Sequence, residues 1–305
     1  MLNSQEVAFF ITIASSSSLA AAARKMNVTP PSVSQRLQHI EQKLGVTLVE
    51  RSARSIALTA EGKLLATRGK TLLAGFDALY DDLAHHKKSL SGKLRIDGPF
   101  GLGMKHVGLI IGEFQQRYPE LEIELNLSES PRWDPINSPD ILLYIGHLKD
   151  SSLRRVVLVK NRRLLLAAPH YLASAPPLNH PEDLTNHRCI ALRENQEDAT
   201  LWRFTHHATG EESNIRIRPC LASNVGHIIR EWAVQGLGII QRSYWDVTEE
   251  LRQGSLVELL PEYQFASADI VALLANEEKL RPQKVNLFLD YLKSRLPQLI
   301  TEGPL

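Results

Sequence analysis

Thr29-Pro30-Pro31-Ser32-Val33-Ser34-Gln35-Arg36-Leu37 opens the helix that decides how the rest of this chain is read. Thr29 stands at an N-cap position and Pro30 at the first helical position, where a missing N–H costs nothing. Val33, Leu37, Ile40 and Leu44 then recur within a narrow arc and form an apolar stripe. Burying that stripe leaves Ser32, Ser34, Gln35 and Arg36 on the exposed N-terminal part, with His39 and Lys43 further along. These side chains suit a DNA groove. Arg and Gln make bidentate contacts to guanine and adenine edges, while serines and a helix N-terminus suit phosphate.

Upstream, Val7, Phe10, Ile11 and Ala14 fall at i, i+3, i+4 and i+7, one face of a first helix. Ser18 caps a second, where Leu19, Ala22, Ala23 and Met26 repeat the pattern. Its small alanines let the third helix cross closely, as a helix-turn-helix needs. Downstream, Leu48-Val49 and Ile56-Ala57-Leu58 flank a short turn carrying Arg51 and Arg54, which reads as a basic wing beside the DNA backbone. A small bundle with a solvated polar face would explain any one of these helices. The ordered set points instead to double-stranded DNA as the partner.

The chain has 305 residues, 43% hydrophobic and 23% charged, which suits a globular protein of two or three domains. Its net charge of +1 hides an asymmetry: residues 1–90 hold 11 Lys and Arg against 7 Asp and Glu, and the remainder 24 against 27. A basic front on an acidic body fits a DNA-binding head. Cys189 and Cys220 stand in no metal-ligand spacing and read as small apolar residues. Met1–Glu6 has no basic region followed by an apolar core, and no apolar run approaches the roughly 18 residues of a membrane span. The expectation is a cytoplasmic protein with no membrane partner.

From Thr59 to about Lys88 the chain lacks proline. Leu65, Leu72 and Leu79 repeat every seven residues, and Phe76, Leu83 and Leu90 form a second series offset by four, like the a and d positions of a coiled coil. Gly69 and Gly75 weaken the zipper. A dimer gains weight because a helix-turn-helix protein needs two half-sites. A single helix packing on its own body is the alternative. Ser89-Leu90-Ser91-Gly92 marks a hinge. Beyond it strands and helices alternate. A strand from Leu94 ends at Pro99 and a helix runs from Met104 to Tyr118; Leu121, Ile123, Leu125 and Leu127 alternate with polar residues. Ile141–Ile145, Val156–Val159, Leu164–Ala168, Gly236–Ile240 and Ile270–Leu274 read as buried strands of the parallel type, and Lys284–Leu296 as a closing amphipathic helix. This is an α/β body.

Several runs carry a family resemblance. Ser18-Leu19 with four alanines, Val33-Ser34-Gln35, Ile40-Glu41 with Leu44-Gly45, Arg51 and Leu58-Thr59-Ala60-Glu61-Gly62 resemble the N-terminal signature of LysR-type transcriptional regulators. Pro30 and Val49 depart from it. Gly92–Ile96, Tyr118-Pro119, Ile145-Gly146-His147 through Leu153, Ala168–Leu172, Pro181–Leu184 with His187, and Gly236–Ile239 resemble the family's effector domain, so the likeness covers nearly the whole chain. The Asp150–Leu153 and Gly103–His106 stretches are similar to the subgroup of CrgA-like regulators. The resemblance implies an N-terminal all-α winged helix-turn-helix plus linker helix, and a C-terminal α/β domain of two subdomains like type 2 periplasmic binding proteins. The expected boundaries are 1–60 for the DNA-binding domain, 61–90 for the dimerisation helix and 91–305 for the effector-binding domain. Subdomain I covers about 91–162 and 266–305, subdomain II about 163–265, with crossings near Arg162 and Phe265. A small-molecule effector, RNA polymerase contact and a homodimer or homotetramer follow from the family.

Ligands of open α/β sheets sit beyond the carboxyl ends of strands. Three places fit: the loop Pro99-Phe100-Gly101-Leu102-Gly103, the strand end Tyr144-Ile145-Gly146-His147, and Ser223-Asn224-Val225-Gly226 before a helix, with Trp202 and Phe204 as an aromatic wall. The first loop is apolar here, and Tyr144 stands where the family often has Arg, which favours an apolar or aromatic ligand over a simple dicarboxylate. The expected DNA-contacting set is Ser18, Thr29, Pro30, Ser32, Ser34, Gln35, Arg36, Arg51 and Arg54. No catalytic site, cofactor or metal is expected. The chain has no Gly-x-Ser-x-Gly, no phosphate loop with Lys and no His-Glu-x-x-His, and its adjacent His pairs make poor chelates. A transport-type binding protein without DNA function is the reading from a different class.

Overall fold

Asn3 starts the chain's first helix through a capping box. Its side chain accepts the Glu6 N–H while the Glu6 carboxylate accepts the Asn3 N–H, both at 2.9 Å. The computed structural model describes residues 1–51, 56–83, 90–134, 137–146, 153–194, 198–266 and 268–302. They form two compact units, one holding the N-terminal helices and one holding most of the chain from Leu90 onward.

In the first unit α1 (Ser4–Ala14), α2 (Leu19–Lys25) and α3 (Pro30–Leu44) are followed by β1 (Val49–Arg51), β2 (Ile56–Leu58) and α4 (Ala60–Leu83). Phe9, Phe10 and Ile13 of α1, Ala22 and Ala23 of α2, and Val33, Leu37 and Ile40 of α3 share one core with Leu48, Val49 and Ala66. Burying each large apolar side chain contributes about 1.5–3 kcal/mol. The expected stripe of α3 loses its last member. Leu44 is exposed, because Gly45 (φ 71°) turns the chain out of the helix one residue later. β1 and β2 pair antiparallel with Val49 opposite Leu58, the two strands of the wing. Glu41 secures the wing to α3 by accepting the N–H groups of Leu48 (2.8 Å) and Val49 (3.2 Å).

Thr59 joins the wing to α4. Its hydroxyl donates to the Thr47 carbonyl at 2.8 Å and accepts the Gly62 N–H at 3.0 Å. Gly62 is glycine because any Cβ there would collide with the Leu48 carbonyl oxygen. Gly69 lets α1 lie against α4, since a Cβ would sit 2.7 Å from Val7 Cγ1. The heptad expectation is therefore corrected at its start. Leu65 turns into its own domain's core, whereas Leu64, Leu72, Phe76 and Leu79 are exposed among the described side chains of α4; the side chain of Leu83 lies outside them.

The second unit has two lobes. Its elements in chain order are β3 (Gly92–Pro99), α5 (Phe100–Leu102), a π-helical turn over Gly103–Val107, α6 (Gly108–Arg117), β4 (Leu121–Ser128), β5 (Ile141–Ile145) and β6 (Arg154–Val159). There follow β7 (Arg163–Ala167), α7 (Pro169–Leu172), β8 (Cys189–Leu192), β9 (Leu201–His206), β10 (Glu212–Arg216), β11 (Pro219–Ser223), α8 (Gly226–Val234) and β12 (Ile240–Ser243). The chain closes with α9 (Thr248–Gln253), β13 (Val257–Leu259), β14 (Tyr263–Phe265), β15 (Ile270–Leu274) and α10 (Gln283–Glu302). Lobe I is a sheet of order β4-β3-β5-β15-β6. Lobe II holds β12-β7-β13, β11-β8 and β10-β9-β14, the first two linked by a bridge between Cys189 and Ile239. The chain passes from lobe I to lobe II between Val159 and Arg163 and returns between Phe265 and Ile270.

Strand direction departs from the expectation. β3 runs parallel to β4 and β5, and β8 to β11, but β6, β7, β12 and β15 pair antiparallel. A strand buried on both faces looks the same in sequence whichever way its neighbours run. The helix expected from Met104 begins at Phe100 and is interrupted by the π turn.

Candidate functional site

The polar face expected to meet DNA is carried by α3. Pro30, Ser32, Gln35 and Arg36 are exposed and Ser34 is half-buried. Thr29 stands exposed at the N-cap, and its side chain makes no capping bond. Ser18 differs: its hydroxyl accepts the Ala21 N–H at 3.1 Å and holds the start of α2. The Arg36 guanidinium lies over the Phe9 ring, 4.4 Å from its centroid, which orients this cation from beneath. Lys43, at the far end of the face, is ion-paired to Glu6 at 2.9 Å, and that hydrogen bond, with the Asn3 N–H, holds the Glu6 carboxyl below its ordinary value. The helical wheel put Phe10 inward but gave no sign that Phe9 would carry Arg36. Arg54 lies outside the described residues, as does the side chain of Arg51.

In the second unit, the carboxyl ends of the parallel strands β3, β4 and β5 lie at one edge of lobe I. That edge presents Phe100 and Gly101, Glu129, and Tyr144. Phe100 is exposed and Tyr144 half-buried, but Leu102 is fully buried and Gly103 packs on Leu127. On lobe II, Ser223 accepts the Val225 N–H at 3.1 Å and Asn224 is exposed at the mouth of α8. His147 lies outside the described residues. Trp202 and Phe204 do not form the expected wall. Trp202 is 4% exposed and packs with Phe204, Leu165, Tyr171 and Ile215 in the core of lobe II.

Sequence reasoning missed the charges gathered here. Arg242, 8% exposed, lies against Gly226 at the start of α8 and is ion-paired to Asp246 at 2.7 Å. Burial opposes the Arg242 charge, but Asp246, Glu194 and Glu129 outweigh it and raise its pKa. Burial likewise opposes ionisation of Asp246, yet Arg242, Arg230 and Lys105 keep its carboxyl below the ordinary range. Glu129 of lobe I is raised by burial and by Glu194 of lobe II, which faces it. Lys105 reaches from the π turn to donate to the carbonyls of Trp245 (3.1 Å) and Asp246 (2.9 Å). The nearby cations are thus engaged by the protein itself. Among the described residues no cluster of His, Cys, Asp and Glu could hold a metal ion, and no helix is long and apolar enough to cross a membrane.

A winged helix-turn-helix in one unit and a two-lobed α/β body in the other define a class of DNA-binding regulators with an effector domain. Comparison with known proteins agrees. A family model described as LysR substrate binding domain matches residues 87–297, and one for bacterial regulatory helix-turn-helix proteins of the lysR family matches 4–63. The HTH-type transcriptional activator TtdR of Escherichia coli (strain K12) is 32% identical over 296 residues, covering 96% of this chain and 94% of that protein. Full-length AphB, a Vibrio cholerae virulence activator, superposes with a TM-score of 0.60 at 25% identity, over 96% of this chain and 99% of its own. CrgA, a LysR-type regulator from Neisseria meningitidis, gives 0.57 at 28% identity, over 97% and 99%. The chain belongs to the LysR family and is a LysR-type DNA-binding transcriptional regulator with an effector-binding domain.

Proposed function

We propose that α3 reads its operator through Ser32, Gln35 and Arg36, with Thr29, Ser34 and the wing arginines Arg51 and Arg54 on phosphates. Pro30 supplies shape, and Ser18 acts by holding α2. The observation that carries this reading is the exposed polar face of α3, with Arg36 braced on Phe9. α4 pairs two chains through Leu64, Leu72, Phe76 and Leu79, so that two heads meet two half-sites. The domain roles follow the expected division at about residues 60 and 90. The body is not catalytic, works in the cytoplasm and alters contact with RNA polymerase, in keeping with a relative that is a transcriptional activator.

The effector site lies among Phe100, Gly101, Tyr144, Ser223 and Asn224, with Glu129 and Glu194 at its polar side. An apolar or aromatic effector suits it better than a simple dicarboxylate, because Arg242 and Lys105 already have partners within the protein. Selection of random duplex DNA by the full-length protein tests the central claim. Recovery of an interrupted inverted repeat with half-sites about one turn apart is the expected result. Enrichment of no sequence at moderate salt overturns it. A dicarboxylate found bound between the lobes would overturn the effector class alone.

A further inference from the structure

One short segment of lobe II touches both the crossings between the lobes and lobe I itself. It is the turn Ser243–Asp246, which follows β12. At its near end, Asn161 lies on the first crossing and is 9% exposed; its amide donates to Ser243 Oγ at 3.0 Å and to the Ala268 carbonyl on the second crossing at 2.9 Å. Tyr244 N–H donates to the Arg162 carbonyl at 2.9 Å, and the Arg162 guanidinium lies 5.1 Å over the Tyr244 ring. At its far end, the turn meets lobe I. Lys105 donates to the carbonyls of Trp245 and Asp246, the Trp245 indole lies edge-on to His106 at 5.9 Å, and a Cβ on Gly101 would come within 3.3 Å of the same indole.

The segment of lobe I that reaches across is the π turn Gly103–Val107. Such turns cost hydrogen-bond geometry and concentrate at functional positions. Here the turn carries Lys105 and His106 to the seam. The Arg242–Asp246 pair links the same segment to the mouth of α8, where Arg242 lies against Gly226.

A rotation of the lobes about their crossings carries Lys105 away from the two carbonyls unless the turn moves with it. We infer that Lys105 and the Ser243–Asp246 turn form a latch that holds the two lobes at one angle, with Lys105 as its positioning residue. The inference rests on the reading of this body as an effector domain, since the latch is the element that an effector must release or tighten to change the lobe angle. Arg242 connects it to the edge where that effector is proposed to bind.

The test measures the lobe separation in the full-length protein. One spin label goes on the exposed native Cys220 in lobe II and one on Glu120→Cys in lobe I, with labelled chains diluted in unlabelled protein so that distances within one chain dominate. Cys189 is buried and escapes the reagent. Electron–electron distance measurement on this background should give a narrow distribution. Lys105→Met keeps the aliphatic stem but removes the donors, and should broaden or displace the distribution. Lys105→Arg restores two donors and should return it toward the original. A distribution unchanged by Lys105→Met overturns the latch, as does a broadening that Lys105→Arg fails to reverse. If Lys105→Met does not fold, Asn161→Leu, which frees the near end of the turn, is measured in its place under the same criterion of change. The measurement needs neither DNA nor effector. Its failure counts against the latch alone, and failure to recover an operator counts against the DNA reading alone.

Discussion

Removing the Asp246 carboxylate should destabilise the two-lobed unit more than any surface substitution. Asp246 receives Arg242 through Nε at 2.9 Å and Nη2 at 2.7 Å, and Arg230 at 3.2 Å. Asp246→Ala leaves the buried Arg242 guanidinium without its closest counter-charge, a loss worth about 3–5 kcal/mol when a buried pair is broken from one side. At a urea slope of about 2–3 kcal/mol/M this lowers the unfolding midpoint by roughly 1–2 M. Trp202, Trp232 and Trp245 lie in the two-lobed unit and Trp133 in the other, so tryptophan fluorescence follows mainly the two-lobed unit. Replacing both partners, Arg242→Met with Asp246→Leu, should recover most of the loss, because apolar residues of similar volume substitute for a buried pair at little net cost. The sign with pH is also set. The Asp246 carboxyl is held below its ordinary 3.8, so its contribution is present above that value and fades as pH falls through the depressed one. Asp246→Ala should therefore flatten the acid limb of the stability curve. A single-variant loss below about 1 kcal/mol, or a double variant no more stable than the single, would refute the reasoning, since either result means that Arg242 is not desolvated.

Gly62→Ala should cost about 1–3 kcal/mol by overpacking, because its Cβ meets backbone rather than a side chain that can move; thermal unfolding of the N-terminal unit followed by helical circular dichroism checks it. His106 is held down to about 4 by burial and the neighbouring Lys105 cation, so its imidazole resonances should not move between pH 8 and 5. Because the unfolded imidazole protonates near 6.5, this residue weakens the fold as pH drops from there toward about 4, and His106→Phe should remove that sensitivity. The Cys189 thiol is pushed up to about 12 by burial while Cys220 is exposed, so a disulfide reagent should titrate one thiol in the native protein and two after unfolding.

What the sequence disclosed was local. Val33, Leu37 and Ile40 announced the inner face of α3 because a helix repeats its burial every turn, and the proline-free run from Thr59 announced α4. Leu65 misled because one face of α4 packs on α1 and the helix-turn-helix core, so the heptad register could not be assigned from spacing alone. Trp202 was legible in principle. It alternates with Phe204 on β9 and stands opposite Ile215, the pattern of a core-facing strand rather than a ligand wall. The charges between the lobes left no local trace. Lys105 meets Asp246 across 141 positions, and no periodicity connects residues brought together by two chain crossings. The π turn was hidden too, since nothing in its composition separates it from an α-helical one.

The close fit of α1 on α4 at Gly69 has a mechanical meaning. With Val7 and Ile11 seated there and Thr59 joining the wing to the helix start, α4 is packed into the same core as α3, so the two should tilt together. A helix of 24 residues is about 36 Å long, so a tilt of about 10° imposed at one end displaces the other by roughly 6 Å, close to two base-pair steps. On the proposed pairing of two chains through α4, the helix would act as a lever: a small angular change delivered to it would become a change in the half-site spacing that the heads span.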